Sequence, residues 1–161
     1  MNKIGMTIDV SHLNERSFWE VLALSNKPVI ATHSNARRYA HVDRNLTDQQ
    51  IKALIKQKGL IGLNAVRYFV QDDEAFQDVE HLAVHARYIA DMGGIDCLAC
   101  GFDYMDYLDE PFGIHSMAKG IQMASDNQNL VNALEKQGFD HSEIKKICHI
   151  NALNFFQKNF Q

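Results

Sequence analysis

Hydrophobic residues in this chain fall into two alternating kinds of run. IGMTIDV at 4–10, PVIAT at 28–32, LIGLNAV at 60–66 and IDCLACGF at 95–102 are short, partly β-branched stretches that read as strands. Between them the apolar spacing turns helical, with Phe18, Val21, Leu22 and Leu24 inside 14–25. Ile51, Leu54 and Ile55 follow Thr47-Asp48-Gln49-Gln50, which has the form of a capping box, and a longer helix is expected from Glu74 to Met92. Gly59 is expected to close the second helix and Gly93-Gly94 the third. Beyond Asp103 the pattern predicts a loop, YMDYLDEPFGIHS at 104–116, then helices at 117–123, at 126–137 before Gly138, and from Asp140-His141-Ser142-Glu143 to about 157.

Near-continuous apolar strands that alternate with helices predict an α/β fold with a parallel sheet covered by helices. In such sheets chemistry gathers at the carboxyl ends of the strands. Ser11-His12, His33-Ser34-Asn35, Asn64 and Asp103 all fall just past predicted strand ends, so they are expected on one rim. His12 and His33 lie one strand–helix unit apart, which places them on adjacent strands about 4.7–4.9 Å apart. They are therefore candidates to share a metal ion, since neutral imidazole is a common zinc ligand. A histidine that merely caps a strand is the alternative; the second histidine and Asp103 on the same rim favour the metal.

Other motifs carry less. His81 and His85 are helically spaced, but HLAVH lacks the glutamate of HExxH, so surface or core positions are expected. His41, His115, His141 and His149 have no partner at useful spacing. No GxSxG, GxxxxGK[ST] or dinucleotide glycine fingerprint occurs, which leaves metal-assisted chemistry as the candidate.

Composition narrows the class. With 161 residues, 46% hydrophobic and 22% charged, the chain is expected to form a single domain over 1–161. A net charge of −4 and an isoelectric point near 6.0 argue against nucleic acid or anionic lipid as partners. No apolar run approaches the roughly 20 residues of a membrane span, so no membrane partner and a cytoplasmic location are expected. Cys97 and Cys100 form a CxxC, but a strand would put them on opposite faces, and free thiols in a reducing compartment fit better.

Three segments, IDVSH at 8–12, PVIATHSNAR at 28–37 with RNLTDQQI at 44–51, and GIDCLACGFD at 94–103, together resemble the membrane (renal) dipeptidase family of zinc peptidases, and the likeness continues through KKICHINALNFF. The resemblance implies a (β/α)8 TIM-type barrel with two zinc ions in the intact site, hydrolysing dipeptides with metal-activated water. This chain matches the carboxyl-terminal half, with extra terminal helices. By the same resemblance His12 and His33 match metal ligands, Arg44 the arginine that binds the substrate carboxylate, and Asp103 the catalytic acid of the last strand.

The family's other metal ligands belong to the barrel's first half, which is not found here. At most one zinc ion is expected, and a truncated enzyme is implied. Some four strands cannot close a barrel that ordinarily takes about 250 residues, so an exposed apolar sheet face and either self-association or pairing with a missing half are expected. The alternative is a catalytically inactive half-barrel remnant or interaction subunit.

Overall fold

Helix ends set the frame. In a computed structural model that describes residues 1–105, 107 and 115–159, Asn14 opens α1 (Glu15–Leu24) by accepting a hydrogen bond from Ser17 N. Thr47 and Gln50 form the expected capping box on α2 (Asp48–Lys56), in which each side chain takes up a backbone N–H that the first helical turn leaves without a partner. Asp140 and Glu143 form another on α6 (His141–Lys145). Each cap of this kind contributes on the order of 1 kcal/mol.

The sheet has three parallel strands in the order β1 (Ile30–Ala31), β2 (Leu60–Leu63) and β3 (Leu98–Cys100). Ala31 pairs with Ile61, and Ile61 in turn with Leu98. The side-chain period of two divides the core. Ala31, Ile61, Leu63 and Leu98 face the helical layer, where they join Ile51 and Leu54 of α2 and Leu82, Ala86 and Ile89 of α4 (Val79–Ile89). Ile30, Leu60 and Ala99 face the other way and pack with Phe155 of α7 (Asn151–Asn159). At this level the second sheet face is not the exposed apolar surface that the sequence predicts, because Phe155 and the half-buried Phe156 cover it.

The strands are shorter than predicted. The 4–10 run forms only a parallel bridge between Asp9 and Ile30, with a 3-10 turn at Asn2–Ile4 and Gly5 at φ 72° before it. β3 starts at Leu98 because Ile95–Cys97 is a 3-10 turn, which leaves Cys97 outside the strand.

The predicted 74–92 helix is several pieces. A short α3 (Arg67–Val70) and a 3-10 turn at Glu74–Phe76 precede α4, which starts where Asp78 caps His81 N and runs into a π-turn at Ala90–Gly94. Residues 117–123 form no helix: where Met117 bridges Val66 and Lys119 bridges Asp78, Ala118 N bonds Ala65 O, Lys119 N bonds Gln77 O and Lys119 O accepts Val79 N, so these backbone groups are already used in tertiary pairing. Helix α5 (Asn127–Lys136) ends before Gly138, which takes φ 80°. The 140–157 helix is α6, a π-turn at Lys146–Ile150, and α7. Residues 106 and 108–114 of the predicted 104–116 loop lie outside the described residues. Among the described residues no helix is long and apolar enough to cross a membrane.

Candidate metal and substrate site

The strand ends deliver the rim residues by an unusual route. After Ala31 the next backbone donor, Thr32 N, bonds to the Asp9 side chain at 3.1 Å, and Ser34 N reaches over to Gly62 O at 2.8 Å. The chain thus turns across the sheet instead of extending β1. It can do so because Gly62 and Gly101 have no side chains: a Cβ on either would sit 2.0 or 1.8 Å from the Thr32 carbonyl oxygen. This crossing brings His33 inward over the sheet end.

His12 arrives from the Asp9–Ile30 bridge through a turn in which Asp9 Oδ1 accepts Ser11 N at 3.0 Å. The Nε2 atoms of His12 and His33 then lie 2.9 Å apart, with ring centroids 4.9 Å apart and planes inclined at 60°. Two ring nitrogens at that distance need a shared proton or a cation between them, because facing lone pairs repel.

Behind His33 a hydrogen-bonded chain runs inward. His33 Nδ1 is 2.7 Å from Thr32 Oγ1, and Thr32 Oγ1 donates to Asp9 Oδ2 at 2.5 Å. Burial raises the Asp9 carboxyl, but the hydrogen bonds from Thr32 and Ser11 together outweigh it and hold the group below its ordinary value. Burial lowers His33, aided by the nearby Arg44 charge and opposed by Asp103, so the ring favours its neutral form. Neutral imidazole with its outer nitrogen free is the form that binds metal.

Arg44 stands beside the pair. Its Nη2 is 3.5 Å from His12 Nε2, at the outer limit of a hydrogen bond, and its guanidinium carbon lies 5.6 Å from the centre of the Phe69 ring. Burial makes the guanidinium a weaker base, with Asp103 and Asp9 opposing. Its Nη1 is a buried donor with no hydrogen-bond partner among the described residues. An open cavity of about 420 Å³ lined by His12, Asn14, Glu15, Arg37, Asp43 and Arg44 adjoins it.

Asp103 is exposed and takes φ +60°, a left-handed conformation that aspartate tolerates better than most residues. Asn64 steadies it: Nδ2 donates to Asp103 Oδ2 at 3.3 Å and to the His33 carbonyl at 3.4 Å. Buried Asn35 in turn grips both backbone groups of Asn64, accepting its N–H at 3.0 Å and donating to its carbonyl at 2.8 Å. A strand neighbour would make the same pair of bonds, so the amide replaces sheet where the sheet ends.

The structure therefore brings His12, His33 and Arg44 into contact and links Asp103 to His33 through Asn64. The loop residues between them are tied down elsewhere. Arg37 bonds the Asn45 and Asp43 carbonyls, Arg38 sits over Tyr88, and His41 pairs with Asp72 at 2.5 Å. His85 is a core residue: its Nδ1 accepts Ala36 N at 3.1 Å and its Nε2 donates to Val70 O at 2.7 Å. The roles of Asp9, Thr32, Gly62 and Gly101 are not legible in the sequence. The only local signals were an Asp two residues before a Ser, and a Thr directly before His33.

As a metal centre the donor set fits in kind and falls short in number. Two imidazole nitrogens face one point, and the hydrogen-bonded partner behind His33 is what a ligating histidine requires. Among the described residues no third His, Cys, Asp or Glu joins them, whereas zinc takes four donors.

A profile of the membrane dipeptidase family (peptidase family M19) matches residues 1–160. The chain belongs to that family. It is 27% identical to the dipeptidase tcpJ of Claviceps purpurea over 98% of its own length. It also superposes on a metallo peptidase from Rhodobacter sphaeroides, solved with a phosphinate mimic of the dipeptide L-Ala-D-Ala, with a TM-score of 0.85 and 29% identity over 98% of this chain. Dipeptidase AC, a metallo peptidase of the same family, gives a TM-score of 0.86 and 30% identity over 99% of this chain. The chain spans 36%, 44% and 46% of these three relatives, less than half of each.

Proposed function

We propose that this chain is the carboxyl-terminal half of a zinc-dependent dipeptidase barrel, folded as a single domain over 1–161. The observation that carries the proposal is the 2.9 Å approach of the His12 and His33 Nε2 atoms, beside an Arg44 guanidinium whose buried Nη1 has no partner among the described residues. Membership of the dipeptidase family and the likeness to a structure holding a dipeptide mimic support it.

His12 and His33 would hold the metal. Zinc, when bound, supplies Lewis acidity to polarise a carbonyl and to make water acidic near neutral pH. Arg44 receives the free carboxylate of the dipeptide, since a guanidinium fork forms two parallel charge-assisted bonds with a carboxylate and so fixes its direction. Asp103, exposed at the rim, takes a proton from the attacking water and returns it to the departing amine.

A second reading is favoured by the lack of a third donor among the described residues: a half-barrel that is silent alone and serves as an interaction subunit, paired with a second copy or with a segment that brings the remaining ligands. Purified chain assayed with excess zinc on a panel of dipeptides and their carboxamides separates the two. Turnover lost in His33→Ala, and restricted to substrates with a free carboxylate, supports the dipeptidase. No turnover with any divalent metal supports the silent half.

A further inference from the structure

We infer that Asp9 is a positioning residue for this site: acting through the Thr32 hydroxyl, it holds the proton of His33 on Nδ1 and keeps the Nε2 lone pair turned toward His12. The inference rests on the proposed role of His33 as a metal donor for its functional meaning, and on hydrogen-bond direction for its structure.

The direction follows from counting protons. Asp9 Oδ1 accepts the backbone N–H groups of Ser11 and Thr32 at 3.0 and 3.1 Å, and Oδ2 lies 2.5 Å from Thr32 Oγ1. A carboxylate can only accept, so the single hydroxyl proton of Thr32 goes to Asp9. Thr32 Oγ1 then has only lone pairs left for its other neighbours, Ser11 Oγ at 3.3 Å and His33 Nδ1 at 2.7 Å. His33 must therefore donate from Nδ1, which leaves Nε2 bare. Ser11 Oγ has a proton to give Thr32 and accepts the His33 backbone N–H at 3.1 Å, so every partner in the chain is satisfied.

The relay is anchored at both ends. The Asp9–Ile30 bridge and strand β1 fix the two backbones, and the Asp9 side chain cannot rotate away without losing the N–H groups of Ser11 and Thr32 and the Thr32 hydroxyl. An amide in place of the carboxylate reverses the chain. Asn at position 9 would keep its oxygen on the two backbone N–H groups and point its amino group at Thr32. The Thr32 hydroxyl would then be free to donate to His33 Nδ1, moving the ring proton to Nε2, where it blocks a metal.

Long-range ¹H–¹⁵N correlation of histidine-labelled, metal-free protein reads the tautomer directly, and zinc titration by calorimetry reads affinity. In the unaltered chain Nδ1 of His33 is expected as the protonated nitrogen. Asp9→Asn is expected to swap the two nitrogens and weaken zinc by about 10–100-fold, while Thr32→Ser keeps both readouts because its hydroxyl remains. Thr32→Val, which cannot relay, is expected to lose the fixed tautomer while still folding. An Asp9→Asn protein that folds and keeps the Nδ1 proton overturns the inference, even if zinc binds the unaltered chain. A swapped tautomer in a chain that never binds zinc supports the relay and removes the metal role instead.

Discussion

The carbonyl oxygen of Thr32 lies so close over Gly101 that a Cβ there would approach it to 1.8 Å. One strand end folds down on the glycines of its neighbours, and His33 reaches His12 because of it. Gly101→Ala should therefore act as both a packing and a site mutation. We expect a loss of about 1–3 kcal/mol of stability by denaturant unfolding. Zinc affinity should fall as well, because the shifted carbonyl carries His33 with it.

Asp103 holds a strained backbone at φ +60°. Removing the side chain's tolerance for that conformation should cost stability: Asp103→Ala is expected to be less stable than Asp103→Gly by about 1–2 kcal/mol. Asp103→Asn should fold like the unaltered chain, since asparagine also tolerates the left-handed region. In an assembled, active enzyme the same Asn substitution should lower kcat by roughly 10²–10⁴-fold.

His85 makes stability depend on pH. Burial pushes its pKa down to about 4, below the ordinary 6.5, and the Ala36 N–H that it accepts needs the neutral ring. Between these values the unfolded chain binds the proton and the folded chain does not. The stabilisation is thus fully present above pH 6.5 and is lost as pH falls toward 4, by about 3 kcal/mol in all. Urea unfolding from pH 7 to pH 4.5 checks this, with His85→Gln, less stable throughout, showing a smaller dependence over the same range.

The cysteines should differ sharply in reactivity. A hydrogen bond with Cys100 holds Cys148 below the ordinary thiol value, whereas burial pushes Cys97 up to about 11. Iodoacetamide at pH 7.5, followed by peptide mapping, should label Cys148 first and leave Cys97 unmodified in folded protein.

The parts of the fold that were legible in the sequence are those set by local signals. The capping boxes at Thr47 and Asp140 concern bonds within a single turn, and the apolar strand runs announce a parallel sheet. What failed depends on distant partners. Gly59 reads as a helix terminator, yet Lys58 takes the left-handed φ of 56°; Gly59 is needed because a Cβ would sit 2.5 Å from Val29 O. Met117 and Lys119 look helical but are drawn into bridges with Val66 and Asp78. The site divides in the same way. The rim positions of His12, His33, Asn64 and Asp103 follow from strand ends, whereas the Asp9–Thr32 support and the glycine crossing exist only once strands are side by side.

Zinc-edge anomalous diffraction from crystals grown with zinc tests the central claim most directly. The account predicts a peak about 2.0–2.1 Å from Nε2 of both His12 and His33, at bonding distance to each. Zinc seated elsewhere, with the two rings still joined to each other through a proton, would contradict it.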